Sequence, residues 1–242
     1  MGAKCFGEFV GTAVLILLGD GVVANVLLKR SKAEGTGWLA IAAGWAFAVV
    51  FGVFVSIACG SPDAALNPAV TLGLAVETGD FSKFLPFLVA QMLGAMTGAV
   101  LVWLHFFPHW RETEDPNAKL GCFCTMPAIP NFGANLLSEI IGTFVLVLGV
   151  AAIFSKKVAL TGPAPAFGPY LVGVLVWAIG LSLGGTTGYA INPARDLGPR
   201  IMHALLPLGK KRDSGWSYAA VPVVGPLIGA GFAGLFVRLV HL

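Results

Sequence analysis

The chain has 242 residues, of which 57% are hydrophobic and only 11% charged, with a net charge of +3 and a mean hydropathy of +0.84. A soluble domain averages ~25% charged residues, so the composition excludes an ordinary soluble fold and points to a multi-pass membrane protein. No basic run exceeds Lys210, Lys211 and Arg212, which is too short for a nucleic-acid partner.

Six segments reach the ~20 apolar residues needed to cross ~30 Å of hydrocarbon. In chain order they are 5–28, 38–59, 84–107, 135–154, 168–187 and 217–240. The first is too long for a cleavable leader, and no small-residue cleavage site follows it. Lys29 to Gly37 separates the first two spans, and Lys156 to Pro165 the fourth and fifth. Residues 108–134 carry Pro108, Glu112, Glu114, Asp115, Pro116, Pro127 and Pro130, and read as a loop.

Two further stretches, 67–77 and 192–203, are apolar but short. At 1.5 Å per residue each covers ~15–18 Å, about half a bilayer. Both begin Asn-Pro, a cap followed by proline in the first turn, which is a helix-start signal. They are expected to be half-helices whose N-termini stop at membrane depth.

The chain also repeats itself. Gly7-Glu8-Phe9-Val10-Gly11-Thr12 returns as Ser138-Glu139-Ile140-Ile141-Gly142-Thr143, and Asn67-Pro68-Ala69-Val70 returns as Asn192-Pro193-Ala194-Arg195. A single domain over 1–242 is expected, made of repeats at about 1–107 and 135–242 joined by 108–134. Each repeat holds three spans. Three is odd, so the second repeat enters from the other face, and inverted repeats with broken helices are typical of transport proteins.

Asn-Pro-Ala opening a short apolar helix in each repeat resembles the aquaporin superfamily over nearly the whole chain. Asp196, Arg200 and Pro222 place the resemblance nearer the glycerol facilitators than the water-selective branch. It implies an all-α membrane protein with six transmembrane helices and two re-entrant half-helices in inverted repeats. It also implies a passive channel for glycerol, other small uncharged solutes and water, without a cofactor. A homotetramer in the cell membrane is implied as well. The family has both termini in the cytoplasm, whereas the excess of Lys and Arg on the opposite loops favours the reverse.

The residues carry a physical reading beside the resemblance. A helix N-terminus has unpaired N–H groups and ~+0.5 of partial charge. Asn67 and Asn192 can each cap their own helix and still offer an amide N–H to a lumen, where cations meet positive potential from both sides. Arg195, at membrane depth, is costly unless it faces water or a partner. Its fork can bind two solute oxygens together. The resemblance puts Arg195 at a constriction with Tyr189 and Gly180, where glycine widens the hole. The fourth position falls on Trp45 by local pattern and on Phe47 by counting from Asn67. Asp63, Ala64 and Ala65, and Gly188, Tyr189 and Ala190, cannot be helical, and their carbonyls are expected to line the lumen. Many relatives carry histidine where Ala65 stands.

Glu8 and Glu139 occupy equivalent places and are expected to accept backbone N–H bonds from the re-entrant loops. Asp20, near the end of its span, is expected to be wet. Gly94 and Gly98 form G-x-x-x-G, a close-packing signal within or between subunits. Cys5 and Cys59 read as inert core residues, and the spacing of Cys122 and Cys124 is not that of a redox or zinc motif. His105 and His109 lack a third ligand, so no metal site is expected.

Overall fold

The structure is a computed structural model that describes residues 1–164 and 166–242. Its helices in chain order are α1 (Gly2–Leu27), α2 (Trp38–Ala58), α3 (Pro68–Thr78), α4 (Phe84–His105), α5 (His109–Glu112) and α6 (Pro116–Gly121), followed by α7 (Phe132–Phe154), α8 (Phe167–Leu183), α9 (Pro193–Leu205) and α10 (Ala220–Val240). There is no strand among the described residues. Five helices (α1, α2, α4, α7 and α10) are long and apolar enough to cross a membrane, and α8 is a shorter apolar helix of 17 residues.

The two short apolar segments are the half-helices α3 and α9, of 11 and 13 residues. Each starts where the sequence says it must. Asn67 accepts from the N–H of Ala69 at 2.8 Å, and Asn192 from those of Ala194 and Arg195 at 3.0 and 3.2 Å. Proline follows in the first turn of both. Gly79, with φ of 80°, closes α3 in the left-handed conformation that glycine tolerates.

Two of the expected span ends shift, and each has an identifiable cause. The fifth span was expected to reach residue 187, but α8 stops at Leu183. Thr187 instead gives its hydroxyl to Glu139, and the carbonyl of Thr186 accepts from Ala128. The last helix starts at Ala220, after a turn in which Tyr218 donates its N–H to Gly215. The expected loop 108–134 holds α5 and α6, and Asp115 caps α6 ahead of Pro116. Pro165, which ends the expected break before the fifth span, lies outside the described residues.

Packing follows the repeated pattern. α1 packs against α2 and α4, α7 against α8 and α10, and α2 against α8. The half-helices cross over, with α3 lying on α10 and α9 on α4. Glycine allows the close approaches. A Cβ on Gly94 would collide with the Phe9 carbonyl and one on Gly98 with that of Ala13, which settles this G-x-x-x-G on an α4–α1 contact within the chain. Gly225 and Gly229 make the matching approach of α10 to α7.

Candidate functional site

The loops leading into α3 and α9 share one backbone pattern. Ala64 and Leu66 have φ of 39° and 51°, and Tyr189 and Ile191 of 39° and 42°. The left-handed region costs a non-glycine residue ~1–2 kcal/mol, so something must hold these turns. Two buried acids meet them. Glu8 accepts from the N–H groups of Ala65 and Leu66 at 3.0 and 2.8 Å, from Ser61 Oγ at 2.7 Å and from Gln91 Nε2 at 2.9 Å. Glu139 accepts from the N–H groups of Ala190 and Ile191 at 2.9 and 2.8 Å, and from Thr187 Oγ1 at 2.6 Å. These are charge-assisted bonds in a dry setting, which are the strong kind. The two sites differ in one donor. If Gly94 and Gly98 correspond to Gly225 and Gly229, Pro222 stands where Gln91 would, and it has no amide to give.

The half-helix tips are tied to each other. Asn67 Nδ2 donates to the Ile191 carbonyl at 2.8 Å, and Asn192 Nδ2 to the Leu66 carbonyl at 2.9 Å. Each amide therefore caps its own helix with its oxygen and grips the opposite loop with one N–H. Its second N–H remains for the lumen, and both residues line the cavity.

That cavity has a volume of about 610 Å³ and runs from Arg195, Tyr189 and Trp45, past both asparagines, to Asp63 and the loop residues Thr161, Gly162, Pro163 and Ala164. One wall is greasy, formed by Leu15, Val49, Val53, Val70, Leu146, Val150 and Val176. The other carries the loop residues Asp63, Ala64, Ala65, Tyr189 and Ala190. Gly188 is not among the lining residues; a Cβ there would lie 3.4 Å from Thr125 Cγ2. At the far mouth the Asp63 carboxylate accepts from Lys83 Nζ at 3.0 and 2.9 Å.

At the other end, Arg195 Cζ lies 4.1 Å from the centre of the Trp45 ring. Among the described residues the Arg195 guanidinium finds no acidic partner within 4.0 Å, and its neighbour Asp196 bonds Arg200 instead. Trp45 is 4% exposed and lines the cavity, whereas Phe47 is 50% exposed on the outer face of α2. The structure therefore brings Trp45, and not Phe47, to Arg195. Gly180 does not line the cavity. A Cβ there would lie 2.8 Å from Tyr189 Cζ, so the room left by the missing side chain is filled by the tyrosine ring and does not widen the hole.

Several polar groups were not legible as a site. Arg200 is fully buried. It bonds both Asp196 oxygens and the carbonyls of Thr125, Ser214 and Gly215, and Asp196 also accepts from Thr125 N–H and Oγ1. This pair stitches two outer loops to α9. The i,i+4 spacing of acid and arginine was the available signal. Lys211 ties the same region by donating to the carbonyls of His203, Ala204 and Leu206, and burial pulls its ammonium below the usual lysine range. Asp20, expected to be wet, is 1% exposed, because α1 runs past it to Leu27 and the 122–125 loop packs over that end. His109 Nδ1 donates to the Lys29 carbonyl. No group of three metal-ligating side chains occurs among the described residues.

Long apolar helices around an elongated cavity whose midpoint is formed by two half-helix tips define a multi-pass channel of the cell membrane. The chain belongs to the Major intrinsic protein family, whose sequence profile matches residues 2–237. It is 56% identical over 223 residues to a probable glycerol uptake facilitator protein of Thermotoga maritima, covering 92% of each chain. It is 53% identical to a glycerol uptake facilitator protein of Streptococcus pneumoniae, covering 98% of both. Among solved structures it resembles the aquaglyceroporin from Plasmodium falciparum, with a TM-score of 0.85, 28% identity and coverage of 99% of this chain and 96% of that one.

Proposed function

We propose that the chain lets glycerol, other small uncharged solutes and water diffuse passively through the cell membrane while ions and protons are held back. The observation that carries this reading is the pairing of Arg195 with Trp45 at one end of the lumen. A planar fork of donors sits against an aromatic surface, with the Tyr189 ring beside it. A polyol presents hydroxyls on one side and C–H groups on the other. The fork can bind two adjacent hydroxyls, while the rings receive the C–H side. The glycerol named for the two bacterial relatives agrees with this.

On the same reading, Trp45, Tyr189 and Arg195 line the selectivity filter, Gly180 makes room behind it for the Tyr189 ring, and Asn67-Pro68-Ala69 and Asn192-Pro193-Ala194 form the central barrier. The half-helix N-termini converge there, and their positive ends disfavour a cation. Glu8 and Glu139 keep the re-entrant loops in place. The apolar outer faces of the helices meet lipid and, in a homotetramer, neighbouring copies.

The test is stopped-flow light scattering on proteoliposomes given water, glycerol and urea gradients. Arg195→Ala and Trp45→Ala should each change the glycerol-to-water permeability ratio, while Phe47→Ala should not. Ratios that stay constant for the first two would remove the filter. Accumulation of glycerol against its gradient when a proton gradient is imposed would remove the passive mechanism.

A further inference from the structure

We infer that Trp38 is a positioning residue for the constriction, setting where the Tyr189 ring stands and hence how large a solute passes. This rests on the filter reading above and adds to it a residue outside the lumen.

Trp38 opens α2, and Trp45 follows seven residues later. At 3.6 residues per turn, seven residues are close to two full turns, so both indoles project from one side of the helix. Trp45 reaches the Arg195 guanidinium. Trp38 reaches Tyr189 from behind. The two rings meet edge to face, with centroids 5.6 Å apart and planes at 76°, the arrangement that aromatic quadrupoles favour. The Trp38 indole N–H donates to the Gly180 carbonyl at 2.9 Å, which fixes the indole against α8.

The recess is shaped for this pair. Gly180 and Gly184 lie one turn apart. A Cβ on Gly180 would lie 2.8 Å from Tyr189 Cζ, and one on Gly184 would lie 2.6 Å from both Tyr189 Cδ1 and Trp38 Cζ2. The Tyr189 backbone is itself in a left-handed conformation, with φ of 39°, so the ring is aimed by a strained residue and needs an outside stop. Two glycines provide the space, and Trp38 closes it. One helix thus places both aromatic surfaces of the constriction, Trp45 directly and Tyr189 through Trp38. Because Trp38 lies behind the ring, removing it lets Tyr189 retreat from Arg195.

The test uses proteoliposomes of the full chain with Trp38→Ala, Trp38→Leu and Trp38→Phe. Water, glycerol and a four-carbon polyol are compared as ratios, so that differences in the number of folded channels cancel. Trp38→Ala and Trp38→Leu should raise the four-carbon-polyol-to-glycerol ratio by about threefold or more, the scale at which a lost packing contact alters discrimination. Trp38→Phe keeps an aromatic edge against Tyr189 and should return most of the way to the parent value. Trp38→Leu fills most of the volume, so it decides the matter if Trp38→Ala does not fold. Ratios that stay at the parent value in both the leucine and alanine variants overturn the inference. Trp45→Ala is run alongside. If it shifts the ratios while the Trp38 variants do not, only the role of Trp38 fails; if it too is silent, the filter reading fails.

Discussion

Asn67 donates its side-chain amide to the main-chain carbonyl of Ile191 at 2.8 Å, across 124 residues of sequence. Asn192 returns the bond to Leu66. The centre of the lumen is therefore a reciprocal clasp. Each half-helix is capped by a side chain that also holds the loop of the other.

Replacing Asn67 by aspartate keeps the cap acceptor and removes the donor, and it sets a carboxylate against the Ile191 carbonyl. A hydrogen bond lost in a buried site, with its acceptor left unpaired, costs about 2–3 kcal/mol. Asn67→Asp and Asn192→Asp should each lower the thermal midpoint of the detergent-solubilised protein. They should also raise sodium leak in vesicles, because a negative charge replaces a donor at the midpoint. A midpoint equal to that of the parent would mean that the clasp does not fasten the tips.

The buried acids offer a second prediction. Both Glu8 oxygens accept two donors each, so in Glu8→Gln the amide must face N–H or O–H donors in either flip. The variant should be destabilised by about 3 kcal/mol. Glu139→Gln should suffer by a similar amount, since Glu139 Oε1 takes two donors and Oε2 one. Thermal unfolding of both variants, compared with Ser138→Ala as an outward-facing control on α7, checks this.

Close helix approaches give a third. Ala at Gly94 or Gly229 puts a methyl into the backbone carbonyl of Phe9 or Ile140, and overpacking of this kind costs about 1–3 kcal/mol. Gly231 faces open space, so Gly231→Ala should be neutral. Equal yields of folded protein for all three would contradict the packing described.

Arg200 offers a fourth. Its fork spans five acceptors on three segments, which the point charge of lysine cannot reach together. Arg200→Lys should loosen the 122–131 and 206–219 loops, seen as faster protease cutting there. Arg200→Met leaves Asp196 buried and unpaired, and should cost about 3–5 kcal/mol. Protection unchanged in both variants would show that the loops are held by other contacts.

Much of the fold can be read directly from the residues. Apolar length picks out the spans, and Asn-Pro marks both half-helices to within a residue or two, because cap and proline act locally. The end that shifted most, that of α8, is set by a distant partner. Thr187 leaves α8 because Glu139 claims its hydroxyl, and nothing within the 168–187 run signals that. The site divides in the same way. Glu8 and Glu139 stand out because they repeat in otherwise apolar spans. The cross-bonds from Asn67 and Asn192, the burial of Asp20 and the place of Trp38 behind Tyr189 depend on segments more than a hundred residues apart or on loops with no period. The choice between Trp45 and Phe47 turns on an insertion before Asn67, which counting along the chain cannot place, whereas the facing direction on α2 separates them.

The seat of α3 is on α10, where the Gly73 carbonyl lies against Gly234. During synthesis α3 emerges long before its partner is made. Some 140 residues must be translated and inserted before the first half-helix meets the surface it rests on. Until then α3 is held through Glu8 on α1 and Gln91 on α4, but its main seat is missing. An incomplete chain released early should therefore be a substrate for membrane quality control, not a leaky pore, and the bilayer stays sealed until the last helix arrives.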